Sequence, residues 1–274
     1  MRILLFLLLL SACSTSHKNE DILYAAMNDG FIHHEISVVP FLLTAYEKVK
    51  VSGGVANIYI EGDGRAWLSK KNPSLDPTPK NPLALKLARQ DEAQNVIYLA
   101  RPCQYINKSA KTFDGSACDK KYWTSHRFAP EVMGAMNAAL DDMKYRHNIR
   151  GFNIIGFSGG ANVAALLAAR RNDVVSLRTV AGNLDNDLQN KIHNVSAMPH
   201  SLNAIDIAKK INHIPQIHFI GSDDKIVSVQ LYESYKKASG VTKCVESLMV
   251  QNTGHTKNWD SMWKSLLEKS VHCE

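Results

Sequence analysis

The chain has 274 residues, of which 45% are hydrophobic and 21% charged, with 15 Gly and 9 Pro. These values are ordinary for a globular protein and argue against collagen-like, disordered and polytopic membrane classes. The net charge of +6 would suit an anionic partner, but the basic residues are scattered and no zinc-finger or aromatic RNA-binding motif accompanies them. We therefore expect no nucleic-acid partner and a single domain of α/β size.

The N-terminus predicts export from the cytoplasm. Arg2 precedes an uninterrupted apolar run at 3–10, which is too short to span a bilayer but has the length of the hydrophobic region of a signal peptide. Small residues and then Cys13 follow this run. An ordinary secretory signal with a chance cysteine near its cleavage site would show the same features.

The string Leu-Ser-Ala-Cys that ends at Cys13 also resembles the lipobox of bacterial lipoproteins. That resemblance implies a signal peptide at 1–12, lipidation of Cys13, a polar tether at 13–22 and a folded domain at 23–274. Several acyl chains on one terminus anchor a protein stably to a membrane. The implied location is the bacterial cell envelope, at the outer membrane.

Four cysteines remain besides Cys13, and an even number in an exported chain predicts disulfides. Four cysteines allow three pairings, of which we expect the local one, Cys103–Cys118 with Cys244–Cys273. The sequence has no C-x-x-C, so neither a redox motif nor a cysteine zinc site is indicated.

The rest of the chain alternates between strand and helix patterns. Strands are predicted at 31–39, 41–49, 55–60, 95–100, 151–156, 174–181, 214–220 and 245–250. Helices are predicted at 83–89, 129–145, 161–170, 229–237 and 260–269. The first two strands, separated by Pro40, should pair antiparallel. The later alternation predicts a mainly parallel sheet with helices on both faces.

The strongest motif is G-x-S-x-G at 156–160, between a predicted strand and an Ala-rich helix. Such a turn strains the serine backbone, and Gly156 and Gly160 give the steric room that the turn needs. Ser158 would stand at the helix start, where the Gly159 amide and the helix dipole face a developing oxyanion. The sequence therefore predicts a nucleophilic serine.

A serine hydroxyl needs a base that takes its proton. His255 follows a late strand, stands next to a glycine and precedes the last helix, which makes it the predicted base. The string at 221–227 looks like the G-x-x-D-x-x-V of α/β-hydrolases, and this likeness puts the triad acid on Asp224, with Asp223 as the alternative. A turn aspartate that caps the following helix would explain Asp223 equally well.

With these motifs the chain resembles serine hydrolases of the α/β-hydrolase superfamily over 31–270, and it is more closely similar to bacterial lipoprotein hydrolases. The resemblance implies an α/β-hydrolase fold and a second oxyanion donor on the loop after the third strand, for which we expect the backbone N–H of Asp63. Glu61 stands where esterases usually have histidine. Only 66 residues separate Ser158 from Asp224 (224 − 158), so no large cap domain is expected.

Weaker patterns complete the expectations. His126 and Arg127 follow the first cysteine pair and are predicted as substrate contacts. His33, His34 and Glu35 are adjacent on a strand and point to opposite faces, so no metal site is expected. No phosphate-binding loop occurs, and no cofactor is expected.

Two functions remain open at this point. The first is a lipid-anchored serine hydrolase that cleaves a small-molecule ester or thioester, in preference to an amide, through an acyl-enzyme. The second is a non-catalytic envelope lipoprotein that uses the same fold for binding.

Overall fold

The computed structural model describes residues 18–106 and 118–273. Its centre is one sheet of eight strands in the order β1-β2-β4-β3-β5-β6-β7-β8. The strands are β1 Ile32–Val38, β2 Phe41–Val49, β3 Val55–Ile60, β4 Asn95–Leu99, β5 Gly151–Phe157, β6 Val174–Val180, β7 Gln216–Gly221 and β8 Val245–Val250.

The strand directions confirm a mainly parallel sheet. β1 and β2 form an antiparallel hairpin in which Val38 lies opposite Phe41, on either side of the turn that contains Pro40. β2 is also antiparallel to β4, and every later pair is parallel. The carboxyl ends of β3 to β8 therefore meet along one edge of the sheet.

Helices cover both faces of this sheet, as predicted. In the described residues they are α1 Lys18–Asn28, α2 Leu83–Arg89, α3 Pro130–His147, α4 Gly159–Ala168, α5 Asn186–His193, α6 Val229–Ser239 and α7 Trp259–Leu267. One hydrophobic cluster joins the sheet to α1, α2 and α7, and a second joins it to α3, α4 and α6.

The central strand β3 shows how the sequence divides between the two clusters. Ala56, Ile58 and Ile60 are buried against α3 and α4, whereas Tyr59 is buried on the other face. Side chains alternate between the faces of a strand, so a strand covered on both sides reads as one apolar run. This explains why 55–60 shows no polar alternation.

The chain is helical earlier than the sequence suggested. α1 begins at Lys18, inside the segment that was expected to be a tether to residue 22. Ile22 and Ala26 are buried in the core beside Phe31, since positions four apart share one face of a helix. The predicted signal peptide at 1–12 and Cys13 lie outside the described residues.

The connection between β6 and β7 is too small to form a separate cap domain. Its described regular structure is α5 and one turn of 3-10 helix, Ala204–Ile207. Among the described residues, no large cap therefore covers the carboxyl edge of the sheet, in agreement with the sequence expectation.

Both expected disulfides are present. Cys103 is bonded to Cys118, and Cys244 is bonded to Cys273 near the C-terminus. Within the described ranges, we find no helix with the combination of length and apolar character needed to cross a bilayer.

Candidate active site

Four loops converge where the parallel strands end. They follow β3, β5, β7 and β8, and they carry Asp63, Ser158, Asp224 and His255 respectively. Residues far apart in the sequence thus lie together because parallel strands present their carboxyl ends at a common edge.

Ser158 lies on a strained turn between β5 and α4. Its backbone has φ 51° and ψ −119°, a conformation that residues other than glycine rarely adopt. A Cβ on Gly156 would lie 2.4 Å from the Gly160 carbonyl oxygen, and one on Gly160 would lie 2.4 Å from the Ile60 carbonyl oxygen. Both positions therefore need glycine, one for the turn itself and the other for its contact with β3.

Of the three expected triad residues, the histidine lies in the middle, within hydrogen-bonding distance of both the serine and the aspartate. His255 Nε2 lies 3.0 Å from Ser158 Oγ, and His255 Nδ1 lies 2.9 Å from Asp224 Oδ2. The Asp224 side chain is only 1% exposed and that of His255 13%. A carboxylate in this position orients the imidazole and favours the tautomer whose Nε2 can accept the serine proton.

The structure separates the two neighbouring aspartates. Asp224 Oδ1 accepts hydrogen bonds from the backbone amides of Ile226 at 2.8 Å and Val227 at 2.9 Å, which leaves Oδ2 for the imidazole. Asp223 Oδ1 instead accepts a hydrogen bond from the Ser222 hydroxyl at the surface. Asp224 is therefore the aspartate that lies against His255.

The histidine loop is held by a buried tryptophan of α7. The indole N–H of Trp259 donates to the carbonyl oxygens of Gly254 at 2.7 Å and His255 at 3.1 Å. The Asp223 amide donates to the Thr253 carbonyl oxygen at 2.9 Å, so the loops that carry the acid and the base are bonded to each other.

The loop after β3 lies against the serine turn. The Asp63 carboxylate is so close to Gly159 that a Cβ on that glycine would lie 2.2 Å from Oδ1. Glu61 Oε1 accepts a hydrogen bond of 3.0 Å from the Gly62 amide. The side chain of Asp63 therefore lies against Gly159, and these are the two residues whose backbone amides are expected to supply the oxyanion donors.

Glu61 is a buried acid, exposed by only 1%. Burial raises its pKa to about 7, although the amides of Gly62 and Ala84 and the Tyr98 hydroxyl act in the opposite direction. Within residues 18–106 and 118–273, its buried Oε2 has no hydrogen-bond partner. Loss of solvation penalises the ionised carboxylate, so Glu61 is partly protonated at neutral pH.

Two arginines that the sequence reasoning missed as a pair hold the Asp63 carboxylate. Arg101 Nη1 lies 3.4 Å from Oδ1 and Arg127 Nη1 lies 2.9 Å from Oδ2. Arg101 also donates to the Arg127 carbonyl oxygen. Burial lowers the pKa of Arg101 to about 10, against the effect of Asp63, and leaves the guanidinium charged. The signal for Arg101 was its place directly after β4, at the shared sheet edge.

A cleft of about 510 Å³ opens above the serine. Its lining residues are Glu61, Asp63, Gly64, Arg65, Ala66, Trp67, Pro79, Lys80, Asn81, Arg127, Phe157, Ser158, Ile226, His255 and Thr256. Arg127 therefore lies where a substrate contact was expected. His126 is not part of this lining; its ring stacks on that of His200 with centroids 4.5 Å apart.

The strand histidines lie far from this cleft in the sheet, on edge strand β1. His34 Nε2 is 3.8 Å from the buried Glu47 carboxylate, and the His33 ring contacts Tyr46. Among the described residues, no group of three or more His, Cys, Asp or Glu side chains is arranged to hold a metal ion.

Comparison with known proteins identifies the family of this chain. The family model described as "Serine hydrolase (FSH1)" matches residues 84–255, which is more than half of the chain and ends at the histidine. No curated protein sequence matches the chain.

Solved structures share the fold. An esterase from Pyrococcus furiosus is 15% identical, with 88% of this chain and 92% of that chain covered and a TM-score of 0.61. A Coxiella burnetii α/β serine hydrolase homologue is 14% identical, with 86% and 94% covered and a TM-score of 0.54. A Xanthomonas campestris α/β serine hydrolase without a lid is 13% identical, with 89% and 96% covered and a TM-score of 0.54.

Proposed function

Since this chain belongs to the FSH1 serine hydrolase family, we propose that it cleaves a small-molecule ester or thioester with Ser158 as nucleophile, His255 as base and Asp224 as orienting acid. The observation that carries this proposal is the position of His255, whose two ring nitrogens lie 3.0 Å from Ser158 Oγ and 2.9 Å from Asp224 Oδ2. A single imidazole bonded on both sides can accept the serine proton and return it.

The first half-reaction forms an acyl-enzyme. Ser158 Oγ attacks the acyl carbonyl carbon while its proton moves to His255 Nε2, and the carbonyl electrons move onto oxygen. The amides of Gly159 and Asp63 donate to this oxyanion at the start of α4. The C–O or C–S bond then breaks, and the leaving group takes the proton from the imidazolium.

The second half-reaction restores the enzyme. A water molecule loses a proton to His255 Nε2 and attacks the acyl carbon, and a second oxyanion is held by the same amides. Ser158 Oγ leaves and regains its proton, so that water is consumed and a carboxylic acid is released. Alcohol and thiol leaving groups depart more readily than amines, which favours esters and thioesters over amides.

A fluorophosphonate probe tests the nucleophile. It should label the wild-type chain at Ser158 and leave Ser158→Ala unlabelled, with hydrolysis of a short acyl ester lost in parallel. Ser125→Ala is a matched control, since Ser125 Oγ bonds to His126 outside the cleft. Absence of labelling in the wild type would favour a non-catalytic binding protein.

We further propose that lipidated Cys13 anchors the protein in the cell envelope, at the outer membrane. Support comes from the lipobox-like string and from the four other cysteines, which are all paired in disulfides, a state typical of exported proteins. Metabolic labelling with an alkyne fatty acid should mark the wild type and spare Cys13→Ser. Recovery of the wild type in the aqueous phase of a detergent partition would contradict the anchor.

A further inference from the structure

The charges around the cleft are not balanced. Asp63 carries one negative charge but lies between two guanidinium groups, those of Arg101 and Arg127. Near neutral pH the second acid of the lining, Glu61, is only partly ionised because burial raises its pKa to about 7. The acidic residues of the lining therefore do not offset its cations.

Two further cations stand at the cleft and are exposed, Arg65 and Lys80. Within the described part of the chain, neither side chain has an ion-pair partner. Like charges that converge on a concave surface raise the local potential and attract anions. The exposed cations suit the approach of an anion rather than its tight binding, because solvent and salt screen them.

Arg127 suits tight binding. Its side chain is 14% exposed, and its buried Nε has no hydrogen-bond partner among the residues that the structure describes. Only Nη1 is engaged by the Asp63 carboxylate, while a guanidinium has five donors in a fixed plane. A half-buried guanidinium in the same cleft as Ser158, with N–H groups not taken up by Asp63, can donate to the oxygens of a carboxylate, phosphate or sulfonate.

The lining also includes large apolar side chains. Trp67, Phe157 and Ile226 are part of the same cleft as Arg127. A ligand that fits this lining has an apolar chain and an anionic group.

Building on the proposed function, we propose that the substrate is an acyl ester or thioester that carries a negatively charged group, and that Arg127 binds this group while Arg65 and Lys80 attract it to the cleft. The reaction is unchanged; the charge determines which esters reach the serine in a productive position.

Matched ester pairs test the inference in the full chain. One pair has the charge on the acyl side, the 4-nitrophenyl monoester of adipic acid against its neutral methyl ester. The other has it on the leaving group, the butyrate ester of 4-hydroxybenzenesulfonate against that of 4-hydroxybenzenesulfonamide. We expect kcat/KM to favour the anionic member of at least one pair by about 10- to 100-fold, as charged hydrogen bonds do. The pair that shows the preference identifies the side that bears the charge.

Arg127→Gln should reduce this preference to at most the several-fold part that Arg65 and Lys80 supply, whereas Lys71→Gln, which removes an exposed cation outside the lining, should leave it unchanged. Equal losses for both members of a pair would mean that Arg127 only holds Asp63, and this result would overturn the inference. So would faster hydrolysis of the neutral member in both pairs.

Two further measurements test the inference without the Arg127→Gln variant. If Arg127→Gln does not fold, the double variant Arg65→Gln, Lys80→Gln, at exposed positions, should lower the preference for the anionic ester several-fold. Raising the salt concentration should do the same in the wild type, because salt screens exposed charges. No change in either measurement would overturn the inference. If the fluorophosphonate labels Ser158 but the enzyme shows no preference for anionic esters, this inference is contradicted and the proposed function is not. Absence of both labelling and ester hydrolysis would contradict the proposed function as well as this inference.

Discussion

The carboxylate of Asp63 occupies the space that a side chain on Gly159 would need, with Oδ1 2.2 Å from the position of a Cβ. A negative charge so close to a developing oxyanion would oppose catalysis if it were unpaired. Arg101 and Arg127 bind this carboxylate from two sides, so the group that fixes the donor loop adds no net negative charge to the site.

Gly159→Ala should therefore impair catalysis more than folding. The new methyl group must displace Asp63 and with it the amide donor, so we expect kcat/KM for a short ester to fall about 100-fold or more. The free energy of unfolding should fall by about 1–3 kcal/mol, as for other overpacked sites.

Gly134→Ala in α3 is the control for this change, because a Cβ there meets no atom within 4 Å. It should raise the free energy of unfolding by roughly 0.5–1 kcal/mol, with activity unchanged. Full activity in Gly159→Ala would show that the Asp63 loop does not supply a donor.

The two adjacent aspartates should differ sharply when each is converted to asparagine. Asp224→Asn removes the carboxylate that contacts His255 and should lower kcat by about 10³- to 10⁴-fold. Asp223→Asn alters an exposed contact with Ser222 and should change kcat less than about twofold. Steady-state kinetics on one ester decide, and a larger loss in Asp223→Asn would reverse the assignment.

Glu61 should make the stability of the protein depend on pH. Its pKa in the folded state is about 7, above the value near 4.3 of an unfolded chain. Protonation therefore favours folding: this contribution is complete below about pH 4 and is lost as pH rises through 7.

Glu61→Gln is neutral at every pH, so it should gain about 3 kcal/mol in unfolding free energy relative to the wild type between pH 4 and pH 8. Urea denaturation of both proteins at several pH values measures this difference. The other titrating groups contribute equally to the unfolding free energy of both proteins, so their contributions cancel in the difference. A difference independent of pH would contradict a raised pKa.

The C-terminal disulfide should stabilise the fold without affecting the chemistry. Cys244 and Cys273 are 29 residues apart in sequence and neither lines the cleft. The double variant Cys244→Ser, Cys273→Ser should lose about 2–4 kcal/mol of unfolding free energy, by the entropy of loop closure. Its kcat/KM at 25 °C should equal that of the wild type, and an equal melting temperature would refute the stabilisation.

Local patterns explain why much of this fold could be predicted from the sequence. The strand at 55–60 and the Ala-rich helix after Ser158 are mainly apolar segments, each with a single asparagine, that match a covered sheet and its flanking helix. The position of the Ser158 turn follows from the G-x-S-x-G spacing together with the apolar strand before it and the Ala-rich helix after it.

Contacts between distant segments could not be predicted in the same way. Arg101 and Arg127 lie 38 and 64 residues from Asp63, and no periodicity links them. His126 and Arg127 are neighbours, yet only Arg127 reaches the cleft. α1 was missed since its apolar face is narrow, with Ile22 and Ala26 as its buried residues.

The contact between Gly160 and the end of β3 makes hydrolysis conditional on an intact middle of the sheet. The turn that presents Ser158 rests on the carbonyl oxygens of Ile60 and Glu61, and the same strand leads to Asp63, whose amide is proposed to supply the second oxyanion donor. A form of the protein in which this strand had come loose would lose its nucleophile geometry and its donor together. Partly unfolded molecules would then have no hydrolase activity, rather than hydrolyse esters without selectivity.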